Sequence, residues 1–127
     1  VRSYAHTYGL STTLSHCTNN YGPGQHVEKF IPFMIRACRN KQFFPIYGTG
    51  ENVRDWIFVD DHSEAVWQIL CKKQAGQTYG IGGGCEKRNI DLLYAIIDQV
   101  AQRTQEDPVR YHQLIQFVQQ TSFFNPY

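Results

Sequence analysis

Pro45-Ile46-Tyr47-Gly48-Thr49-Gly50-Glu51-Asn52-Val53-Arg54-Asp55-Trp56-Ile57-Phe58-Val59-Asp60-Asp61-His62-Ser63-Glu64-Ala65 is the stretch on which the reading of this chain turns. It predicts a short strand, a turn at Gly48-Thr49-Gly50, a second strand carrying Arg54, and a helix whose start Asp60 or Asp61 can cap. Arg54 can meet a phosphate through two parallel hydrogen bonds, and Tyr47 or Trp56 can offer an apolar face to a base or a sugar. A nucleotide ligand suits that combination. On local physics alone, an ordinary strand pair with a surface arginine is the commoner outcome.

Working outward, Val1 to Tyr8 reads as the end of a helix closed by Gly9, and Leu10 to Thr18 as a strand rich in β-branched residues. The strand runs into Asn19-Asn20-Tyr21-Gly22-Pro23-Gly24, a run of turn formers at the place where α/β sheets bind ligands. Two adjacent amides there can recognise ribose, amide or phosphate groups, or simply form a turn. Val27 to Asn40 has helical periodicity, with Pro32 in its first turn and Lys29 at its start, where a lysine either reaches a phosphate or stays in solvent. On the other side of the central stretch, Ala65, Val66, Ile69 and Leu70 form the stripe of a helix ending near Lys73. Thr78 to Ile81 is a strand leading into Gly82-Gly83-Gly84. Asn89, a candidate cap, opens a helix to Arg103, Thr104 to Pro108 reads as a polar and mobile connection, and Leu114 to Val118 as a last strand. Gln119 to Tyr127 has no usable period. The class is α/β.

Composition narrows the function. The chain has 127 residues, 42% hydrophobic, with 12 basic and 11 acidic side chains giving a net charge of +1. No basic face is available to follow a polyanion, so nucleic acid is not expected as a partner. No apolar run approaches the ~20 residues of a membrane span, so no membrane association is expected. Cys17, Cys38, Cys71 and Cys85 lack metal or redox spacing and fit reduced thiols, which favours the cytoplasm. The five histidines show no ligand spacing, and no metal is assigned. A dinucleotide G-x-G-x-x-G fingerprint begun at Gly48 or Gly80 fails at Val53 or Cys85. The chain opens at Val1 within a helix-like stretch and stops at Tyr127 after a strand-like one, so both ends read as internal to a longer protein.

The order of Asn19-Asn20-Tyr21-Gly22-Pro23, Glu28-Lys29-Phe30-Ile31-Pro32, Pro45-Ile46-Tyr47-Gly48, Arg54-Asp55-Trp56, Asp60-Asp61-His62 and Glu86-Lys87-Arg88-Asn89 resembles the dTDP-glucose 4,6-dehydratase family, nucleotide-sugar members of the extended short-chain dehydrogenase/reductase superfamily. The resemblance runs from Val1 to about Val118. It implies that Asn19 contacts the nucleotide sugar and Asn20 the NAD, and that Lys29 and Phe30 line the pocket. Pro45, Ile46 and Tyr47 would border thymine and deoxyribose, and Arg54 would bind the diphosphate beside Asn89. It also implies a lyase reaction on dTDP-glucose in deoxysugar biosynthesis, and homodimers formed through helices that include the one ending near Gly9.

In that family the glycine-rich NAD loop and the catalytic tyrosine, lysine and acid pair come before the equivalent of Val1, and no catalytic residue is assigned here. A later Asp-Arg-Pro-Gly-His motif is replaced by Gln119-Gln120-Thr121-Ser122-Phe123, which resembles a truncated or shifted frame. The resulting expectation is a C-terminal substrate-binding portion lacking the N-terminal dinucleotide-binding half, with the main NAD site absent and no activity on its own. Residues 1–26 would end a Rossmann-like sheet, 27–118 would bind substrate and 119–127 would be a divergent tail. A UDP-sugar epimerase or decarboxylase of the same superfamily, or a non-enzymatic remnant, are the other readings.

Overall fold

Period-two and period-3.6 stretches alternate along the chain, and the computed structural model, which describes residues 1–72 and 74–119, turns them into strands and helices in the same alternation. The order is α1 (Arg2–Tyr8), β1 (Leu14–Cys17), β2 (Asn19–Tyr21), α2 (Phe30–Asn40), β3 (Phe44–Tyr47), β4 (Val53–Phe58), α3 (Val59–Lys72), β5 (Thr78–Ile81), β6 (Glu86–Arg88), α4 (Asn89–Thr104), α5 (Val109–His112) and β7 (Ile115–Val118). Two compact units result: Val1–Gly22 with Asp55–Glu86, and Pro23–Arg54 with the chain from Lys87 on.

In the first unit the strand pairs are parallel. β1 pairs with β5 from Leu14↔Thr78 to Cys17↔Ile81, and β2 with β4 from Asn19↔Trp56 to Tyr21↔Phe58. Parallel neighbours require crossover connections, which is the α/β arrangement the sequence predicts. β1 starts at Leu14 rather than Leu10 because β5 starts only at Thr78. Ahead of that ladder the chain is held by single bonds, the Gly76 N–H to the Thr12 carbonyl and the Thr13 hydroxyl to the Gln74 carbonyl. Gly9 closes α1 in the left-handed conformation (φ 64°), as its sequence position demands.

Asn19 to Tyr21, expected in a loop, pair as a strand, and the turn comes only at Pro23-Gly24. β4 passes directly into α3 at Val59, so Asp60 and Asp61 occupy the first helical turn instead of a cap position. There their charge still faces the positive end of the helix dipole. The predicted end of α3 at Lys73 lies outside the described residues. Its expected inner stripe is only half-buried at Ala65, Val66 and Ile69, and Leu70 is exposed. Beside β4, Gly83 is obligatory: a Cβ there would stand 2.0 Å from the Trp56 carbonyl oxygen.

The second unit holds the continuous apolar core. Met34, Ala37 and Cys38 of α2 meet Ile90, Leu93, Ile96, Ile97 and Ala101 of α4, with Phe44 and Ile46 of β3 and Tyr111 of α5. β3 pairs in parallel with β7 from Phe44↔Ile115 to Tyr47↔Val118. α2 begins at Phe30, later than the expected Val27, with Lys29 as its extended N-cap. A helix begun at Val27 would have placed Pro32 where its missing N–H breaks the bond to the Glu28 carbonyl, whereas from Phe30 the proline sits in the tolerant first turn.

Asn89 does not cap α4. The N-cap is Arg88, and the first N–H groups are met by backbone, Asn89 N–H by the Asn52 carbonyl and Ile90 N–H by the Gly50 carbonyl, both at 3.0 Å. Gly50 makes this close approach possible, since a Cβ would lie 2.7 Å from Ile46 Cγ2 at φ 74°.

The connection after α4, expected to be mobile, is tied down. Gln105 closes α4 in the left-handed conformation, Glu106 accepts from Lys41 at 2.8 Å and from the Tyr111 hydroxyl, and α5 follows. Residues 120–127, most of the expected divergent tail, lie outside the described residues.

Candidate functional site

The second unit contains a cavity of about 630 Å³ between α2, β3 and the start of α4. Lys29, Phe30, Pro45, Ile46, Tyr47 and Asn89 all line it. Local structure explains the meeting. Lys29 and Phe30 open α2, and β3 alternates so that Phe44 and Ile46 are buried while Tyr47 is exposed at the far end. Asn89 is brought to the wall by the backbone bonds of the Gly50–Asn52 turn, and its side-chain amide makes no hydrogen bond among the described residues.

The wall is mixed in character. Aromatic and aliphatic surface comes from Phe30, Phe33, Met34, Ile46 and Tyr47, and polar groups from Lys29, Asn89, Arg36, His26 and Glu28. An apolar slot with a few convergent polar groups is the usual build of a small-molecule site. His26 Nδ1 stands 3.8 Å from a Glu28 carboxylate oxygen, and the Arg36 guanidinium lies over Phe33, 5.5 Å from the ring centroid. At the entry to α4, Arg88 binds Asp91 through two hydrogen bonds of 2.7 and 2.9 Å. That bond holds the arginine above its ordinary pKa and the aspartate below its own.

The remaining residues singled out in the sequence are placed elsewhere. Arg54 stands exposed on β4, is not among the cavity-lining residues, and its guanidinium has no ion pair or hydrogen bond among the described residues. Asp55, the acid next to it in sequence, is engaged in the first unit, where its oxygens accept the Gly83 N–H at 2.9 Å and the Cys85 N–H at 2.7 Å. Desolvation pushes the Asp55 carboxyl up, but these N–H groups, with Thr18 and Gly84, leave it below its usual value. Asn19 and Asn20 lie on β2 in the first unit, Asn19 exposed and Asn20 half-buried. The Asn20 amide nitrogen donates to the Thr18 carbonyl and to Cys17 Sγ, both at 3.2 Å, which fixes the plane of the amide. Asn20 is the middle residue of β2, opposite Ile57 of β4.

His26, Phe33, Met34 and Arg36 were not assigned to a site from the sequence, and Glu28 entered only as part of the Glu28-Lys29-Phe30-Ile31-Pro32 motif. Phe33 follows Lys29 by four residues and Arg36 follows Phe33 by three, a helical stripe that was the available signal.

The model of the NAD dependent epimerase/dehydratase family matches residues 1–82. The dTDP-glucose 4,6-dehydratase of Neisseria meningitidis serogroup B is 42% identical over 122 residues, which is 94% of this chain and 34% of that protein. The enzyme of the same name from Mycolicibacterium smegmatis is 50% identical over 97 residues, 76% of this chain and 29% of the relative. The chain thus spans about a third of the length of the curated relatives it matches. Among solved structures, DesIV from Streptomyces venezuelae, a dTDP-glucose 4,6-dehydratase with NAD and TYD bound, superposes with a TM-score of 0.83 at 36% identity, over 94% of this chain and 35% of DesIV. A UDP-glucuronic acid 4-epimerase from Bacillus cereus reaches 0.77 at 18% identity, a likeness of fold alone.

These findings correct the expectation of a C-terminal substrate-binding portion without its dinucleotide-binding half and without the main NAD site. The NAD-dependent family's own model covers the chain from its first residue through β5, the part that contains the parallel pairs β1–β5 and β2–β4. The missing G-x-G-x-x-G pattern misled because it is one turn of such a domain, whereas the match extends over residues 1–82. With residues 1–82 matched and a parallel α/β architecture, the chain belongs to the NAD dependent epimerase/dehydratase family.

Proposed function

We propose that this chain serves as an NAD-dependent dTDP-glucose 4,6-dehydratase, a lyase of deoxysugar biosynthesis, and that the cavity of the second unit receives the nucleotide sugar. The observation that carries this reading is the convergence of six side chains, Lys29, Phe30, Pro45, Ile46, Tyr47 and Asn89, on one cavity. The identity of 42 to 50% with dTDP-glucose 4,6-dehydratases supports the substrate class, and likenesses of 18 to 22% to UDP-sugar epimerases do not compete with it.

In this reading Phe30 and Tyr47 flank the base, Pro45 and Ile46 close the slot around the deoxyribose, and Lys29 and Asn89 donate to sugar or phosphate oxygens. Arg54 binds the diphosphate, Asn19 the nucleotide sugar and Asn20 the NAD. When bound, NAD supplies hydride acceptance from the sugar C4 and return at C6, around an elimination of water across C5 and C6. The chain's own residues bind and orient, and none is assigned to a proton transfer. The free thiols Cys17, Cys38, Cys71 and Cys85 suit a cytoplasmic setting, and the exposed Tyr4 and Tyr8 of α1 suit a homodimer contact. Among the described residues no helix is long and apolar enough to cross a membrane.

Titration of dTDP-glucose and UDP-glucose, followed by thermal shift, tests the reading. dTDP-glucose is expected to raise the melting temperature more than UDP-glucose. Tyr47→Ala, at a side chain outside the packed core, is expected to weaken dTDP-glucose binding about tenfold without lowering the melting temperature of the free protein. Equal binding of dTDP-glucose by wild type and Tyr47→Ala would overturn it.

A further inference from the structure

The chain leaves β1 and β5 on the same side, because parallel neighbours end at the same edge of their sheet. Thr18 is the first residue beyond β1 and Gly82 the first beyond β5, and open α/β sheets bind their ligands outside such carboxyl ends. Thr18 donates its N–H to the Ile81 carbonyl at 3.0 Å, and its own carbonyl accepts the Asn20 side-chain amide at 3.2 Å. The orientation of Asn20 is therefore set by where Thr18 stands.

Asp55 holds that place. Its two oxygens accept the Gly83 N–H at 2.9 Å and the Cys85 N–H at 2.7 Å, and the Trp56 N–H, next along β4, donates to the Cys85 carbonyl at 3.2 Å. These bonds close the loop at 82–85 onto β4 and lay it against Thr18: a Cβ on Gly82 would stand 3.0 Å from Asp55 Oδ2 and 3.7 Å from Thr18 Cγ2. Without the carboxylate, two backbone N–H groups lose charge-assisted acceptors and the loop loses what keeps it on Thr18.

We propose that Asp55 is a positioning residue for the dinucleotide: acting through the loop at 82–85 and Thr18, it fixes the side-chain amide of Asn20 in the orientation that meets NAD. This rests on the reading of Asn20 as an NAD contact. A carboxylate that only ties β4 to its loop would cost stability when removed and leave the affinity of the folded protein unchanged.

A double-mutant cycle separates the two roles. NAD and dTDP-glucose are titrated calorimetrically into the chain, Asp55→Ala, Asn20→Ala and the double variant, at a temperature where melting curves show each to be folded. Asp55→Ala and Asn20→Ala are each expected to weaken NAD binding at least about tenfold. The double variant is expected to bind NAD no more than about twofold more weakly than Asn20→Ala, since residues acting through one path do not add. dTDP-glucose, received by the cavity of the second unit and by Arg54 on the other face of β4 from Asp55, is expected to bind all four proteins alike. The proposal is overturned if Asp55→Ala keeps wild-type NAD affinity, if the two losses add, or if NAD and dTDP-glucose weaken together as in a general loosening. Should Asp55→Ala not fold, Asp55→Asn, which keeps the size of the side chain and one acceptor oxygen, carries the same cycle with a smaller loss. Wild type that binds dTDP-glucose but not NAD removes the proposal and leaves the nucleotide-sugar cavity standing, whereas wild type that binds neither removes both.

Discussion

Arg54 and Asp55 are neighbours in sequence with opposite fates. Asp55 spends both oxygens on the Gly83 and Cys85 N–H groups, while the Arg54 guanidinium meets no acid among the described residues. An arginine that is not holding a strand through an ion pair is available to a ligand. Arg54→Ala is therefore expected to weaken dTDP binding at least about tenfold, by removing charge-assisted hydrogen bonds, and to leave the melting temperature where it was. Arg54→Lys is expected to restore only part, since a point charge cannot reproduce the bidentate fork. A folded Arg54→Ala protein with wild-type dTDP affinity would sink the assignment. At this scale the sequence singled out Tyr47, at a strand end, and Lys29, before a Pro-containing helix start, and both line the cavity of the second unit. It was uninformative for Arg36, because a polar residue on an amphipathic helix looks solvated until the ring beneath it and the cavity beside it are known.

The elements with strong internal signals fell where their residues placed them. α1 ends at Gly9, β5 spans Thr78–Ile81, and α4 follows its apolar stripe from Asn89. Elements whose limits are set by a partner did not: β1 is as short as β5 allows, and β2 exists because β4 pairs with it. α5 and the bend before it were illegible for the same reason, being held by Glu106 between Lys41 and Tyr111, which are 65 and five residues away in sequence. That corner has a pH signature. The hydrogen bonds from Lys41 and Tyr111 hold the Glu106 carboxyl below its ordinary pKa, and the bond to Glu106 holds Tyr111 above its own. A depressed carboxyl stabilises above its unfolded pKa, about 4.3, and loses that contribution as pH falls through the lower folded value. A raised phenol stabilises below its unfolded pKa, about 10, and loses it as pH rises through the higher folded value. Glu106→Gln is thus expected to lower the melting temperature by a few degrees at neutral pH and to converge on wild type in acid. Tyr111→Phe should converge in alkali. Melting curves that stay parallel across both limbs would show that the corner contributes no linked stability.

Burial is distributed unequally across the molecule. Every residue of the main core cluster belongs to the second unit, whereas in the first unit Trp56, Ile57 and Ile81 are the buried apolar residues described, and neither α1 nor α3 buries any. Opening a region costs in proportion to the apolar contacts it gives up, so the first unit is expected to open more readily than the second. The cysteines report this directly. Cys17 and Cys71, in the first unit, and Cys85, on its glycine loop, are exposed, while Cys38 lies fully buried in the core of the second. Burial pushes the Cys38 thiol up to about 11, against a smaller opposing pull from a backbone hydrogen bond. At pH 8 that leaves about one thiol in a thousand as the reactive thiolate even before access is counted. A disulfide reagent is therefore expected to modify three thiols quickly and Cys38 slowly, at the rate at which the second unit opens. Because the cavity proposed to receive the nucleotide sugar lies in that unit, saturating dTDP-glucose should slow the Cys38 phase further and leave the three fast thiols unchanged, since a ligand stabilises only the state that binds it. Four thiols reacting in a single phase would show that the second unit has no separate stability. A ligand-insensitive slow phase in a chain that binds dTDP-glucose would place the ligand outside the second unit.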